Sequence, residues 1–135
     1  MTLPVTAFTA AICALLLIFL SFQVVKQRIR TESMFGASDD EKMKMVRGCH
    51  SNLAEHAPLA IIMVGVLELA NAHHMALIII AGLFLVARIL HVYGMHIHQA
   101  GKTPRIRQVA VMSTWLTMTA LALWILYICA TVNLL

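Results

Sequence analysis

From Leu3 to Val25 the chain carries no Asp, Glu, Lys or Arg, and three further apolar blocks follow. The hydrocarbon core of a bilayer is about 30 Å thick, which roughly 20 helical residues cross. Apolar residues make up 61% of the 135 positions and charged residues only 12%, whereas a soluble domain averages about 25% charged. The chain is therefore read as an integral membrane protein of one domain.

The blocks place helices at about 3–25, 44–71, 75–97 and 107–133. The first does not read as a cleaved signal: no basic residue precedes it, and Lys26, Arg28 and Arg30 follow as at a stop-transfer edge. The longest loop runs from Lys26 to about Met45, where Ser38 followed by Glu41 resembles a capping box ahead of helix 2. A short turn, Asn71 to His74, joins helices 2 and 3, and Gln99 to Pro104, with Gly101 as a breaker, joins helices 3 and 4. Nine of the ten Lys and Arg lie in or beside the 1/2 and 3/4 loops. By the positive-inside rule these loops are cytoplasmic and both termini periplasmic. Basic residues confined between spans form no face for nucleic acid, so no such partner is expected. The expected fold is an all-α, four-helix transmembrane bundle.

Ionisable groups at membrane depth are expensive and usually face a partner or a cavity. Only His56 to Leu67 of helix 2 is free of Asp, Glu, Lys and Arg, too short to span alone, so helix 2 carries Glu55, Glu68 or both at membrane depth. Glu55 lies sixteen residues before Asn71 and Arg88 fourteen after His74, roughly 24 and 21 Å from the same end at 1.5 Å per residue. This places them level. Asn52 shares a face with Glu55, and His91 with Arg88. Pro58 leaves the carbonyl of Ala54 without its usual donor. One polar layer results, of Asn52, Glu55, Arg88 and His91, with Arg47, His50 and Tyr93 nearer the water and Arg28, Arg30, Arg105 and Arg107 at the same membrane face. Two readings stand: a Glu55–Arg88 pair that fixes helix register, or a site for an anionic, peptide-like ligand.

RGCHSNLAEHAP (Arg47 to Pro58) and RILHVYG (Arg88 to Gly94) resemble the MAPEG family, membrane-associated proteins in eicosanoid and glutathione metabolism, in its bacterial microsomal-glutathione-transferase-like form. The resemblance covers nearly the whole chain. It implies a homotrimer, in a bacterial inner membrane, that binds glutathione as co-substrate between subunits near the cytoplasmic face. Asn52 and Glu55 would hold the glutathione backbone, and Arg88 and His91 would support or contact it. Arg28, Arg47 and Tyr93 complete the expected binding set. Arg107 best matches the helix 4 arginine placed near the thiol, with Arg105 as the register alternative. The implied reaction is attack of an Arg-stabilised thiolate on a lipophilic electrophile, or reduction of a lipid hydroperoxide, with substrate arriving from the bilayer. The alternative is a non-catalytic protein that binds glutathione or a lipid-like ligand in the same pocket.

Four positions depart from the pattern. Gly48 stands where many members carry Arg, Met95 where several eukaryotic members carry Tyr, Gln108 where the prostaglandin branch carries Ser, and Val111 where an aromatic is expected. They argue against prostaglandin or leukotriene synthesis. Small proton-coupled drug transporters share the size and span number but need a carboxylate on helix 1, and none is there. His96 and His98, two apart, are poorly spaced for a shared metal on a helix. Cys13, Cys49 and Cys129 have no CxxC spacing, so neither a metal site nor a disulfide framework is expected.

Overall fold

A computed structural model of the chain describes residues 2–33, 35, 39–97 and 104–132. Four helices account for nearly all of them: α1 (Pro4–Arg30), α2 (Glu41–Leu69), α3 (His74–His96) and α4 (Arg105–Val132). All four are long and apolar enough to cross a membrane, and there is no strand among the described residues. Helices suit this environment because they satisfy their own backbone donors and acceptors where no water can. Consecutive helices form hairpins, so α1 begins and α4 ends at one face of the bundle. The opposite face carries the basic residues.

The boundaries differ from expectation where cations and caps extend a helix. Lys26, Arg28 and Arg30 belong to α1 itself, because they are good helix formers and favour the negative end of the helix dipole. α2 begins three residues earlier than expected, at Glu41 rather than 44, because Asp40 caps it, accepting from the Met43 amide at 2.8 Å. Arg30 donates to the same Asp40 oxygen at 2.6 Å, and this bond, with the capping bond, holds the carboxyl below its ordinary range. Ser38, Gln99, His98 and Gly101, invoked above as cap, loop and breaker, lie outside the described residues. α2 runs unbroken through Pro58. At the α2/α3 turn Asn71 adopts φ 54°, a left-handed conformation that Asn tolerates. The Ala72 amide then reaches back to the Leu67 carbonyl at 3.0 Å, as in a Schellman ending.

α2 and α3 form the inner pair of the bundle; α1 packs mainly on α2 and α4 mainly on α3, and the backbones of α1 and α4 do not come close. Two apolar clusters fill the interior. One gathers Leu20, Cys49, Leu53, Ala60 and Phe84, the other Val64, Leu67, Leu77 and Leu121 toward the terminal end. The lateral surface stays apolar, with Phe22, Leu116, Trp115 and Tyr127 exposed. Hydrocarbon or a neighbouring subunit is the natural solvent for such a face.

Glu68 has a role that spacing did not reveal. Leu3 offers α1 no side-chain cap. The Glu68 carboxylate, at the end of α2, supplies one: it accepts from the Val5 and Thr6 amides, each at 2.9 Å, and from the Thr6 hydroxyl at 2.6 Å. It satisfies orphan donors of the first turn and sets a negative charge against the positive end of the helix dipole. Glu68→Ala is expected to cost roughly 1–3 kcal/mol, read as a lower midpoint of thermal unfolding in detergent. Glu68→Gln, which keeps the shape and one acceptor but not the charge, should lie between the two.

Candidate functional site

The site is built around Arg88, which is 3% exposed in the middle of an apolar helix. One terminal nitrogen donates to Asn52 Oδ1 on α2 at 2.6 Å, the other to Thr114 Oγ1 on α4, and the guanidinium lies 5.6 Å from the ring centroid of Phe84. Thr114 accepts this bond while donating to the Ala110 carbonyl at 2.9 Å. Arg88 thus ties three helices together through neutral acceptors. Its Nε and the Nδ1 of His91, itself 5% exposed, are buried without hydrogen-bond partners.

The expected level pairing of Glu55 with Arg88 is not formed. Glu55 is exposed on the flank of α2 and accepts from the Ser51 hydroxyl at 2.6 Å. The reason is angular: three residues are about 300° of helix, so Asn52 and Glu55 sit some 60° apart, and only Asn52 turns inward. Asn52 and His91 do gather at Arg88's level, so the polar layer exists with a threonine in the place of the carboxylate.

Arg107 is the second focus. It is partly buried at the start of α4, and its charge acts on Cys49 of α2 and His91 of α3. Its position depends on Gly94: a Cβ there would lie 2.9 Å from the Arg107 Cβ and 3.0 Å from its Cα and N. Only glycine allows α3 and α4 to approach so closely at this point. Arg107 opens onto two clefts. One, about 630 Å³, is lined by Glu41, which pairs with Lys44, and by Lys42, Lys44, Met45, Met95 and His96. The other, about 300 Å³, is shared with Gln108, Val111 and Met112 on the flank of α4. Among the described residues Arg107 forms no ion pair with a carboxylate.

The remaining sequence candidates are peripheral. Arg28 is partly buried and donates to the Ser33 carbonyl at 3.2 Å. Arg47, Tyr93 and Arg105 are exposed at the basic end, so Arg107 rather than Arg105 is the helix 4 arginine turned toward the interior. Two of the departing positions touch: a Cβ on Gly48 would sit 3.3 Å from the Met95 Cε. The thioether lies over the missing side chain.

Sequence reasoning missed Thr114 and Gly94. Thr114 falls seven residues after Arg107, on the same side of α4, and a hydroxyl at that spacing in an apolar run was the available signal. Gly94 is a lone glycine without a GxxxG partner, and its role appears only when α4 is set against it.

The fold and these residues define a four-helix membrane protein with a buried arginine clamp beside a second, inward-turned arginine. The chain belongs to the MAPEG family, whose pattern it matches over residues 6–127. It is 29% identical over 120 residues to the inner membrane protein YecN of Escherichia coli K12, an alignment that covers 89% of this chain and 91% of that protein. YecN of Escherichia coli O6:H1 matches equally.

Proposed function

We propose that this chain is a glutathione-dependent transferase or peroxidase of the inner membrane, acting as a homotrimer on lipophilic electrophiles or lipid hydroperoxides. The observation that carries this reading is Arg107, a cation without a carboxylate partner among the described residues, backed onto Gly94 and open to two clefts. A thiol has a pKa of about 8.5, and an adjacent arginine lowers it, so more thiolate exists at neutral pH. The thiolate sulfur then forms a bond to the electrophilic carbon while a leaving group or ring oxygen takes the electron pair. With a hydroperoxide it attacks the terminal oxygen, the O–O bond breaks and the lipid leaves as its alcohol on taking a proton; the glutathione sulfenic acid so formed condenses with a second glutathione thiol to give the disulfide and water.

Asn52 suits the peptide part of the ligand. Its Oδ1 is held by Arg88, which leaves the Nδ2 donors for a carbonyl or carboxylate. Glu55 suits an ammonium. An exposed carboxylate on the flank of a spanning helix costs several kcal/mol against lipid, which favours a neighbouring subunit over that face. The bilayer supplies the lipophilic substrate, and the YecN likeness and the positive-inside rule favour the inner membrane with the basic end cytoplasmic.

A second reading, non-catalytic binding of glutathione or a lipid-like ligand in the same inter-subunit pocket, is favoured by Met95, which lies over Gly48 where relatives place polar or aromatic groups. Ultraviolet absorption of a glutathione thiolate on the purified protein, followed by product analysis with a reactive electrophile, separates the two. Wild-type protein should show the thiolate band and product. Arg107→Ala should lose both by at least roughly tenfold while still retaining glutathione, since a one-unit rise in thiol pKa alone is worth about that factor. Binding with neither band nor product in the wild type would leave the second reading.

A further inference from the structure

The face opposite the basic loops carries a groove and a cavity of its own. Between α1 and α3 runs a groove of about 310 Å³ in which Phe8 and Thr9 face Ile78, Gly82 and Leu85. Its lining is effectively hydrocarbon, because the Thr9 hydroxyl donates back to the Val5 carbonyl at 2.7 Å. A Cβ at Gly82 would meet no atom within 4 Å, so the groove stays open where any larger residue would project into it.

The groove ends against a second, polar cavity of about 490 Å³, with Pro4 and His74 in both walls. Thr2, Glu68, Asn71 and His73 line the rest of its polar surface. A hydrocarbon slot adjoining a polar cup is the shape of an amphiphile.

Charge selects the headgroup. The stretches 1–25, 56–87 and 108–135 contain no Lys or Arg, and Glu68 is their one charged residue. This end offers one carboxylate and two imidazoles. An anionic headgroup would bring its charge toward that carboxylate without an ammonium of its own to meet it. A zwitterionic headgroup fits, with its ammonium against Glu68 and its phosphate on the imidazoles. The Glu68 carboxylate has about four acceptor sites and gives three to α1, which leaves one for an N–H donor.

We infer that this end of the bundle holds an aminophospholipid, with one acyl chain in the α1/α3 groove and the ethanolamine headgroup among Glu68, His73 and His74. The site is independent of the glutathione reading, which concerns the other end of the molecule.

The test uses the full chain in phosphatidylcholine vesicles doped with a phosphatidylethanolamine that bears a photoactivatable acyl chain. Parallel samples carry the same chain on phosphatidylcholine, phosphatidylglycerol or diacylglycerol. The ethanolamine probe should label residues 4–9 and 78–85 above the lateral surface near Leu116 and Leu123, and above the other three probes. Gly82→Leu fills the slot with a better helix former and should cut that labelling by roughly tenfold, leaving the lateral surface unchanged. His74→Ala should lower labelling by the ethanolamine probe and leave that by diacylglycerol as it was. Equal labelling of Gly82→Leu and wild type, equal labelling by all four probes, or cross-links from this groove to a second copy of the chain would each overturn the proposal.

Discussion

On the proposed glutathione chemistry, Gly94→Ala is expected to lower thiolate formation and turnover by roughly a hundredfold, although Gly94 carries no side chain to meet a ligand. The added methyl would stand 2.9 to 3.0 Å from the Cβ, Cα and N of Arg107, and backbone cannot swing away as a flexible side chain can. α4 must shift outward, and Arg107 moves with it. Overpacking of this kind costs about 1–3 kcal/mol, while alanine returns up to about 1 kcal/mol of helix propensity, so the fold survives with a modestly lower unfolding midpoint. Geometry suffers more than stability, because a displacement near 1 Å at a reacting group costs about two orders of magnitude. Gly82→Ala is the control: nothing lies within 4 Å of its new methyl, so stability should hold or rise and turnover should not change. Steady-state kinetics and the thiolate band on both variants decide the matter. Equal activity of Gly94→Ala and wild type would mean that the placement of Arg107 against Gly94 does not set turnover.

The contrast between these glycines shows what the sequence could and could not convey. Spans, hairpins and the basic end follow from hydrophobic length and charge placement, which are properties of single segments. The level of Arg88 followed from counting residues along two helices from a shared turn. Rotation about each helix did not, because a 60° difference between Asn52 and Glu55 is decided by packing across α2, α3 and α4 together. The same holds for Glu68. It closes α2, but its three bonds go to the start of another helix more than sixty residues away. Thr114 and Gly94 act only through partners on other helices, so no local pattern marks them.

Asn52→Leu is expected to destabilise the protein by about 2–3 kcal/mol, and adding Arg88→Met should recover most of that loss while glutathione binding stays abolished. The single change removes the acceptor 2.6 Å from Arg88 and leaves a charge, already without a carboxylate, more poorly satisfied at 3% exposure. Stranding a buried charged donor costs more than the bond itself contributes. The second change removes that charge, whose presence at membrane depth carries a cost of about 2.5–3.5 kcal/mol on insertion scales, and puts an apolar chain of similar length among Phe84 and its neighbours. It orphans nothing on α4, because the Thr114 hydroxyl still donates to the Ala110 carbonyl. Stability measured by thermal unfolding should therefore be strongly non-additive, the mark of two groups acting as a unit. Binding should not recover, because the clamp orients the Asn52 amide and both halves of it are gone. If Arg88 served only as a ligand contact, Asn52→Leu would leave the unfolding midpoint in place and Arg88→Met would rescue nothing. Recovery of the fold without recovery of the ligand is what separates a clamp that positions Asn52 from an arginine that merely lines a pocket.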